Sequence, residues 1–371
     1  MFANQYRNKR VFITGHTGFK GSWLSEWLLM LGAEVTGYSI RVNDSPDHFT
    51  ALGLEHRMKH IIGDVRDLPA LEKAITDARP DFVFHLAAQP LVRLSYREPV
   101  ETMTTNITGT MHVLDVLRRL KHRCACVIVT SDKCYENREM LHGYHEDDAM
   151  GGHDPYSASK GAAEIVAHAY RRSFFSSSDS LISMATARAG NVIGGGDWSE
   201  DRIVPDCVRS LLKQEPINVR NPVATRPWQH VLEPLSGYLW LGALLTGEVK
   251  LPRVPDATAV TGAFNLGPWP EANRSVQALV TEMLKHWPGE WRDAGEPKPV
   301  HEAGLLSLAI DKAFHIMQWQ PVWNFERNLA ATANWYRRVA NENADALEQT
   351  RGNITSYMAD AQSASITWAT N

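Results

Sequence analysis

RVFITGHTGFKGSWLSEWLLMLG, residues 10–32, decides the fold. RVFIT (10–14) is a run of β-favouring residues, apolar enough to be covered on both faces. KGSWLSEWLLMLG (20–32) has helical periodicity and stops at Gly32, a residue suited to a helix C-cap. Between them TGHTGFKG (14–21) spaces Gly15, Gly18 and Gly21 as GxxGxxG. Glycines there permit a tight turn and close approach of a pyrophosphate, with the positive helix N-terminus facing that anion. A glycine triplet alone signals only a turn. At a strand-to-helix junction, ahead of further such units, it reads as dinucleotide binding.

The pattern repeats outward. EVTGYSI (34–40), MKHIIG (58–63), DFVFHLAA (81–88), CACVIVTS (124–131) and SLISMATARAG (180–190) read as strands. Residues 69–78, 100–121 and 155–175 read as helices. Alternation of this kind predicts an α/β fold, a Rossmann-type doubly wound parallel sheet, with a smaller C-terminal substrate-binding lobe. The expected division is 1–190 for the dinucleotide-binding domain and 191–340 for the lobe. Within the lobe, residues 232–267 partly return to the first domain. Residues 341–371 are expected to be a polar tail, helical or disordered.

The chain has 371 residues, a hydrophobic fraction of 44% and a charged fraction of 22%, ordinary for a globular protein. Basic residues number 38 and acidic ones 42, intermixed, for a net charge of −4. That argues against nucleic acid or an anionic membrane as partner. The polar N-terminus lacks the apolar core of a signal peptide, and no apolar run reaches membrane-span length. The cysteines Cys124, Cys126, Cys134 and Cys207 show no zinc spacing, and no metal is expected. They read as reduced thiols of a cytoplasmic protein.

In such folds the ligand crevice lies outside the carboxyl ends of the strands. Gly15, Thr17, Gly18, Phe19, Lys20 and Gly21 follow the first strand. Asp64 and Val65 follow the third, where Asp64 could accept from an adenine amino group. Leu86, Ala87 and Ala88 follow the fourth and leave room for a cofactor. The second strand ends at Ser39 and Arg41, without the acid that commonly binds the adenosine ribose. Those two could accept a 2′-phosphate, so on these residues alone NADP stays open beside NAD, and Arg41 also reads as a solvated loop charge.

PYSASK (155–160) places Tyr156 and Lys160 four apart, on one helix face. A phenol titrates near ~10, and a nearby ammonium favours its ionised form. Such a tyrosine can take a proton from a substrate alcohol while a nicotinamide takes the hydride. Ser131, at the end of the fifth strand, falls beside the pair.

In this order TGHTGFKG, HLAAQP (85–90), YSASK, RAGNVIG (188–194), RPWQHV (226–231) and NWYRR (334–338) resemble the extended short-chain dehydrogenase/reductase family that acts on nucleotide sugars. SDKCYEN (131–137), with GHTGFKGSWL and AAQPLVR, is similar to the branch of 4,6-dehydratases acting on CDP-glucose. The resemblance implies NAD as cofactor and dehydration of CDP-glucose to a 4-keto-6-deoxy sugar, a step of deoxysugar and surface-polysaccharide synthesis. It also implies a homodimer built on segments 100–121 and 155–175. It assigns Ser131, Asp132, Lys133, Tyr156 and Lys160 to catalysis, with Asp132 as acid and Lys133 where related enzymes keep a glutamate base. Tyr156 and Lys160 also touch the cofactor. Asn191 and Arg226 match ligands of the substrate diphosphate; Gln89, Arg93 and Arg202 are weaker candidates. A nucleotide-sugar epimerase and a non-catalytic dinucleotide sensor are the competing readings.

Overall fold

The strands β1 (Arg10–Thr14), β2 (Glu34–Ser39), β3 (Lys59–Ile62), β4 (Phe82–His85), β5 (Cys124–Val129) and β6 (Ile182–Ala189) join the strand Ala263–Leu266 in one seven-stranded sheet. Its order is Ala263–Leu266, β6, β5, β4, β1, β2, β3, and every pairing is parallel. This computed structural model describes residues 1–40, 47–177, 179–295 and 305–371. Along the strands, side chains alternate between two apolar layers. Val11 and Ile13 face one, with Ala125 and Val127; Phe12 faces the other, with Cys126 and Ile128. Coverage on both faces explains why the strands read as unbroken apolar runs. The fold is the expected doubly wound, Rossmann-type sheet. Strand order reverses between β1 and β4, which opens a crevice at that point.

Helix α1 (Phe19–Met30) starts directly after the glycine turn, and Gly32 follows its end at φ +79°. Two further helices depart from expectation. Residues 100–121 form Pro99–Met103, a wider π-turn at Thr104–Thr108, and Gly109–Leu117. Inside the π-turn Asn106 donates to Gln89 O (3.1 Å) and Ser159 Oγ (2.8 Å), and accepts from the Gln89 amide (2.8 Å). These lateral bonds give the bulge a local cause. The helix Pro155–Tyr170, capped by Asp154 on the Ser157 amide, likewise ends in a π-turn at Arg171–Phe175.

The strand Ala263–Leu266 returns to the sheet edge from the second half of the chain, and helix Leu232–Leu245 packs on β5 and β6. The stretch expected to be a polar tail carries the helix Ala346–Ser363, which buries Thr350, Ile354, Tyr357 and Ala361. Only two of those are large and apolar, so the face was faint in the sequence. Tyr357 stacks on Trp368 and donates to Glu233 Oε2 (2.6 Å). Arg351 on the same helix donates to Glu26 Oε1 (2.7 Å), and Arg57 also holds that fully buried carboxylate of α1. All four cysteines are free and buried. No helix among the described residues is long and apolar enough to cross a membrane.

Tyr357→Ala is expected to cost about 3–5 kcal/mol, through lost packing and the lost hydrogen bond to buried Glu233. The exposed Gln362→Ala on the same helix should stay within about 0.5 kcal/mol. Denaturant titration of both variants measures the difference.

Candidate active site

The carboxyl ends of β1 to β6 open into one cleft of about 1400 Å³. Every site residue expected from the sequence lines it except Arg41, which lies outside the described residues. At its floor is the glycine turn. Gly15 has φ +74°, and a β-carbon there would stand 2.7 Å from the Ala87 amide nitrogen. A β-carbon on Gly21 would stand 2.2 Å from Gly15 O. Gly18 differs: its β-carbon would meet only Gly15 O, at 3.4 Å. Packing therefore demands Gly15 and Gly21, while Gly18 leaves space on the cleft side. No side chain caps the start of α1.

Asp64 is less open than expected. Its Oδ1 accepts from the Arg66 amide (2.8 Å) and Nε (3.0 Å), and Arg66 also holds Glu101. Those bonds hold the Asp64 carboxyl below its ordinary range. Ser39 Oγ lies 2.9 Å from Thr17 Oγ1. Gln89 lines the cleft with its side chain engaged locally: its amide donates to Leu91 O (3.1 Å) and Thr102 Oγ1 (2.8 Å) and accepts from the Leu91 amide (2.6 Å). It braces its own loop, which is why a polar residue stands there.

At the other end the helical turn Asp132–Cys134 follows β5. Ser131 Oγ donates to Asp132 Oδ1 (2.9 Å) and is also hydrogen-bonded to Tyr156. Burial pushes the Asp132 carboxyl upward, opposed by Lys133, Ser131, Lys20 and Arg226. A raised pKa favours the protonated carboxyl, the form that can donate a proton. Burial also pushes Tyr156 up to about 12, partly offset by Ser131. The lowering of the phenol expected from Lys160 is not what the site shows: desolvation of the phenolate dominates. Lys160 is itself brought down to about 8 by burial, with Glu164 opposing.

Lys20, expected only as part of the cofactor loop, sits at the catalytic end. Its Nζ donates to Tyr238 Oη (3.4 Å), and burial, with Arg202 and Lys160, brings it down to about 7. Arg202 pairs with Asp197 (2.7 Å), and Arg93 lies 3.8 Å from Asp201. Arg226 Nη1 donates to Thr225 O (2.8 Å). Asn191 enters the cleft directly after β6. The acids 197 and 201 that hold these arginines were not singled out in the sequence; they sit in a loop with no periodic signal. Among the described residues no group of three His, Cys, Asp or Glu side chains is arranged for a metal.

A family model for GDP-mannose 4,6 dehydratase matches residues 12–241. The chain belongs to this family. A CDP-glucose 4,6-dehydratase from Salmonella typhimurium is 44% identical over 361 residues, 96% of this chain and 98% of that one. A probable dTDP-glucose 4,6-dehydratase from Sinorhizobium fredii is 25% identical over 88% of this chain and 92% of its own length. Among solved structures of the same fold, the UDP-glucose 4-epimerase of Thermotoga maritima superposes with a TM-score of 0.73 at 20% identity, covering 89% of this chain and 99% of that one. The dTDP-glucose 4,6-dehydratase of Bacillus anthracis, solved with NAD, gives 0.69 at 18% identity, covering 89% and 97%.

Two outcomes follow for this family member. Gly21→Ala is expected to lower the melting temperature sharply, while Gly18→Ala melts near wild type yet weakens dinucleotide binding, read by calorimetry. Burial brings Lys160 down to about 8 from its ordinary 10.5, so it opposes folding below about pH 8, and that cost fades between about 8 and 10.5. Lys160→Met without nucleotide should therefore be more stable by on the order of 3 kcal/mol near neutrality. Denaturation at several pH values should show the advantage shrinking as the pH rises through that window.

Proposed function

We propose that this chain is a CDP-glucose 4,6-dehydratase, releasing water from CDP-glucose to give CDP-4-keto-6-deoxyglucose. The observation that carries this is Asp132, a buried carboxyl with a raised pKa, bonded to the serine that also bonds Tyr156. Hydride chemistry alone has no use for that acid; elimination needs it. The near full-length likeness to a CDP-glucose enzyme supports the choice of sugar nucleotide. An epimerase or a dinucleotide sensor would leave Asp132 without a task.

The cofactor is NAD, and the residues fit it. The side-chain-free face of Gly18 and the uncapped start of α1 suit a pyrophosphate. Ser39, with Thr17, would meet the adenosine ribose, Asp64 and Val65 the adenine, and Ala87 and Ala88 leave room beside β4. When bound, NAD supplies a hydride acceptor for C4 and a hydride donor for C6, and is regenerated in each turnover. Tyr156 takes the proton of the C4 hydroxyl, and Ser131 orients that oxygen. The 4-keto group acidifies the C5 hydrogen, which Lys133 is assigned to remove. Asp132 then protonates the departing C6 hydroxyl as water. Arg226, Arg202 and Asn191 are assigned to the substrate diphosphate, with Arg93 behind them.

The protein acts as a homodimer. Val100, Met111, Ile165 and Phe174 are exposed at 73%, 37%, 60% and 52%, and all lie on the two segments expected to pair. Covering such side chains in a four-helix contact removes apolar area from water.

Incubation with CDP-glucose and NAD should give a product that forms an ultraviolet-absorbing enolate in alkali, without net NADH; better turnover with NADP or another sugar nucleotide would contradict the assignment. In single turnover Asp132→Asn should oxidise C4 and then stall, with elimination slower by ~10²–10⁴-fold. Tyr156→Phe should fail at oxidation. Lys133→Met should also stall after oxidation and lose solvent deuterium incorporation at C5. Light scattering of Met111→Asp/Ile165→Asp should show a monomer where the wild type shows a dimer.

A further inference from the structure

Behind the cleft one buried carboxylate touches three of the elements that carry the chemistry. Glu164 lies one helical turn after Lys160 and is 4% exposed. Its Oε1 accepts from the hydroxyl of Thr130, the residue immediately before Ser131. Its Oε2 accepts from Thr186 Oγ1 (2.8 Å) and Arg188 Nη2 (2.8 Å), both on β6. Arg188 Nη1 in turn donates to Tyr135 Oη (2.7 Å) and Glu146 O (2.9 Å), and Tyr135 Oη donates to Asn265 Oδ1 (2.7 Å) on the returning strand. The segment 131–135 is therefore held at both ends, through Thr130 and through Tyr135, by groups tied to Glu164.

We infer that Glu164 is a positioning residue that keeps Lys160 in its charged form and fixes the Ser131–Lys133 segment against it. Lys160 sits in a pocket that disfavours its charge. Of the groups facing it, the Cys134 thiol is kept neutral by burial, and burial also brings His85 down to about 3, so it too is neutral at working pH. Tyr156, on its own helix, is a neutral phenol, and Lys20 contributes a like charge. Glu164 supplies the opposing negative charge. A hydrogen-bonding brace for Thr130 and Thr186 needs no ionised group; a counter-charge for Lys160 does. Arg188 shares that charge through Nη2, while its Nη1 turns away towards Tyr135 and Glu146, and Glu164 remains the acid that acts on Lys160.

The inference rests on reading Tyr156 and Lys160 as the proton-handling pair, and its test has a readout that needs no turnover. The variants are Glu164→Gln, Glu164→Asp and the double change Glu164→Gln/Arg188→Met. The double change removes both charges and serves where an unpaired Arg188 unfolds the single variant. Acylation of Lys160 by acetic anhydride, followed by mass spectrometry across a pH series, reports its ionisation directly. In both Gln variants the onset of acylation should move to lower pH by about one unit, as expected for loss of a nearby opposite charge. The alkaline limb of kcat should move with it, while Glu164→Asp keeps the wild-type limb. If Glu164 serves only Arg188, the double variant will show wild-type acylation and an unmoved limb, and the inference falls. Wild-type protein inactive on CDP-glucose would sink the proposed reaction instead, and the acylation series would still report on Glu164.

Discussion

The distance between Gly15 O and the place where Gly21 would carry a β-carbon, 2.2 Å, is the constraint on which the rest of the molecule depends. It presses the first turn of α1 against the end of β1 and sets the direction in which the helix leaves the sheet. Trp23, two residues on, then donates its indole to Gly195 O (2.9 Å), which fixes the loop after β6 over the cleft. That loop is closed in turn by Trp335, whose ring lies where a β-carbon on Gly195 would be. One missing side chain thus governs both the cofactor floor and the substrate wall.

Much of this was legible in the sequence because the signals were local. The strand-to-helix glycine turn, the six leading strands and the Tyr–Lys spacing each rest on neighbours within a few residues. What stayed hidden depends on partners far along the chain. Nothing near Gln89 announces that Thr102 will take its amide, and nothing near Asp64 announces that Glu101 will share Arg66. The π-turn at 104–108 follows from Asn106 reaching Ser159 across 53 residues. The final helix was faint because its buried face is mostly Ala and Thr, with Ile354 and Tyr357 as the only large apolar members. Tyr156 shows the same limit in electrostatics: spacing showed the ammonium, but not the depth of burial that dominates.

The catalytic end of the cleft gathers several cations. Lys20, Lys133, Lys160, Arg202 and Arg226 all line it, and Asp132 answers several of them from within a buried site. Burial loosens the hold of Lys20 and Lys160 on their protons, and for Lys20 the neighbouring Arg202 and Lys160 add to it. Such a site is built for an anionic guest. A diphosphate entering it would relieve repulsion already present between fixed groups, so that binding and the protonation of the lysines reinforce one another.

The clamp on Glu26 links parts of the chain that a domain diagram would separate. Its carboxylate, fully buried on the helix behind the glycine turn, is held by Arg57 and by Arg351, 325 residues away. Phe2 stacks on Trp368 in the same neighbourhood. The nucleotide-binding portion is therefore not a detachable module: expressed alone, it would keep Arg57 on Glu26 but lose Arg351, and it would present an open aromatic surface where Trp27 now meets Tyr357 and Trp368. Hybrids that graft this portion onto the remainder of a relative must carry the late helix with it, or inherit a buried carboxylate that has lost one of its two arginines at the seam.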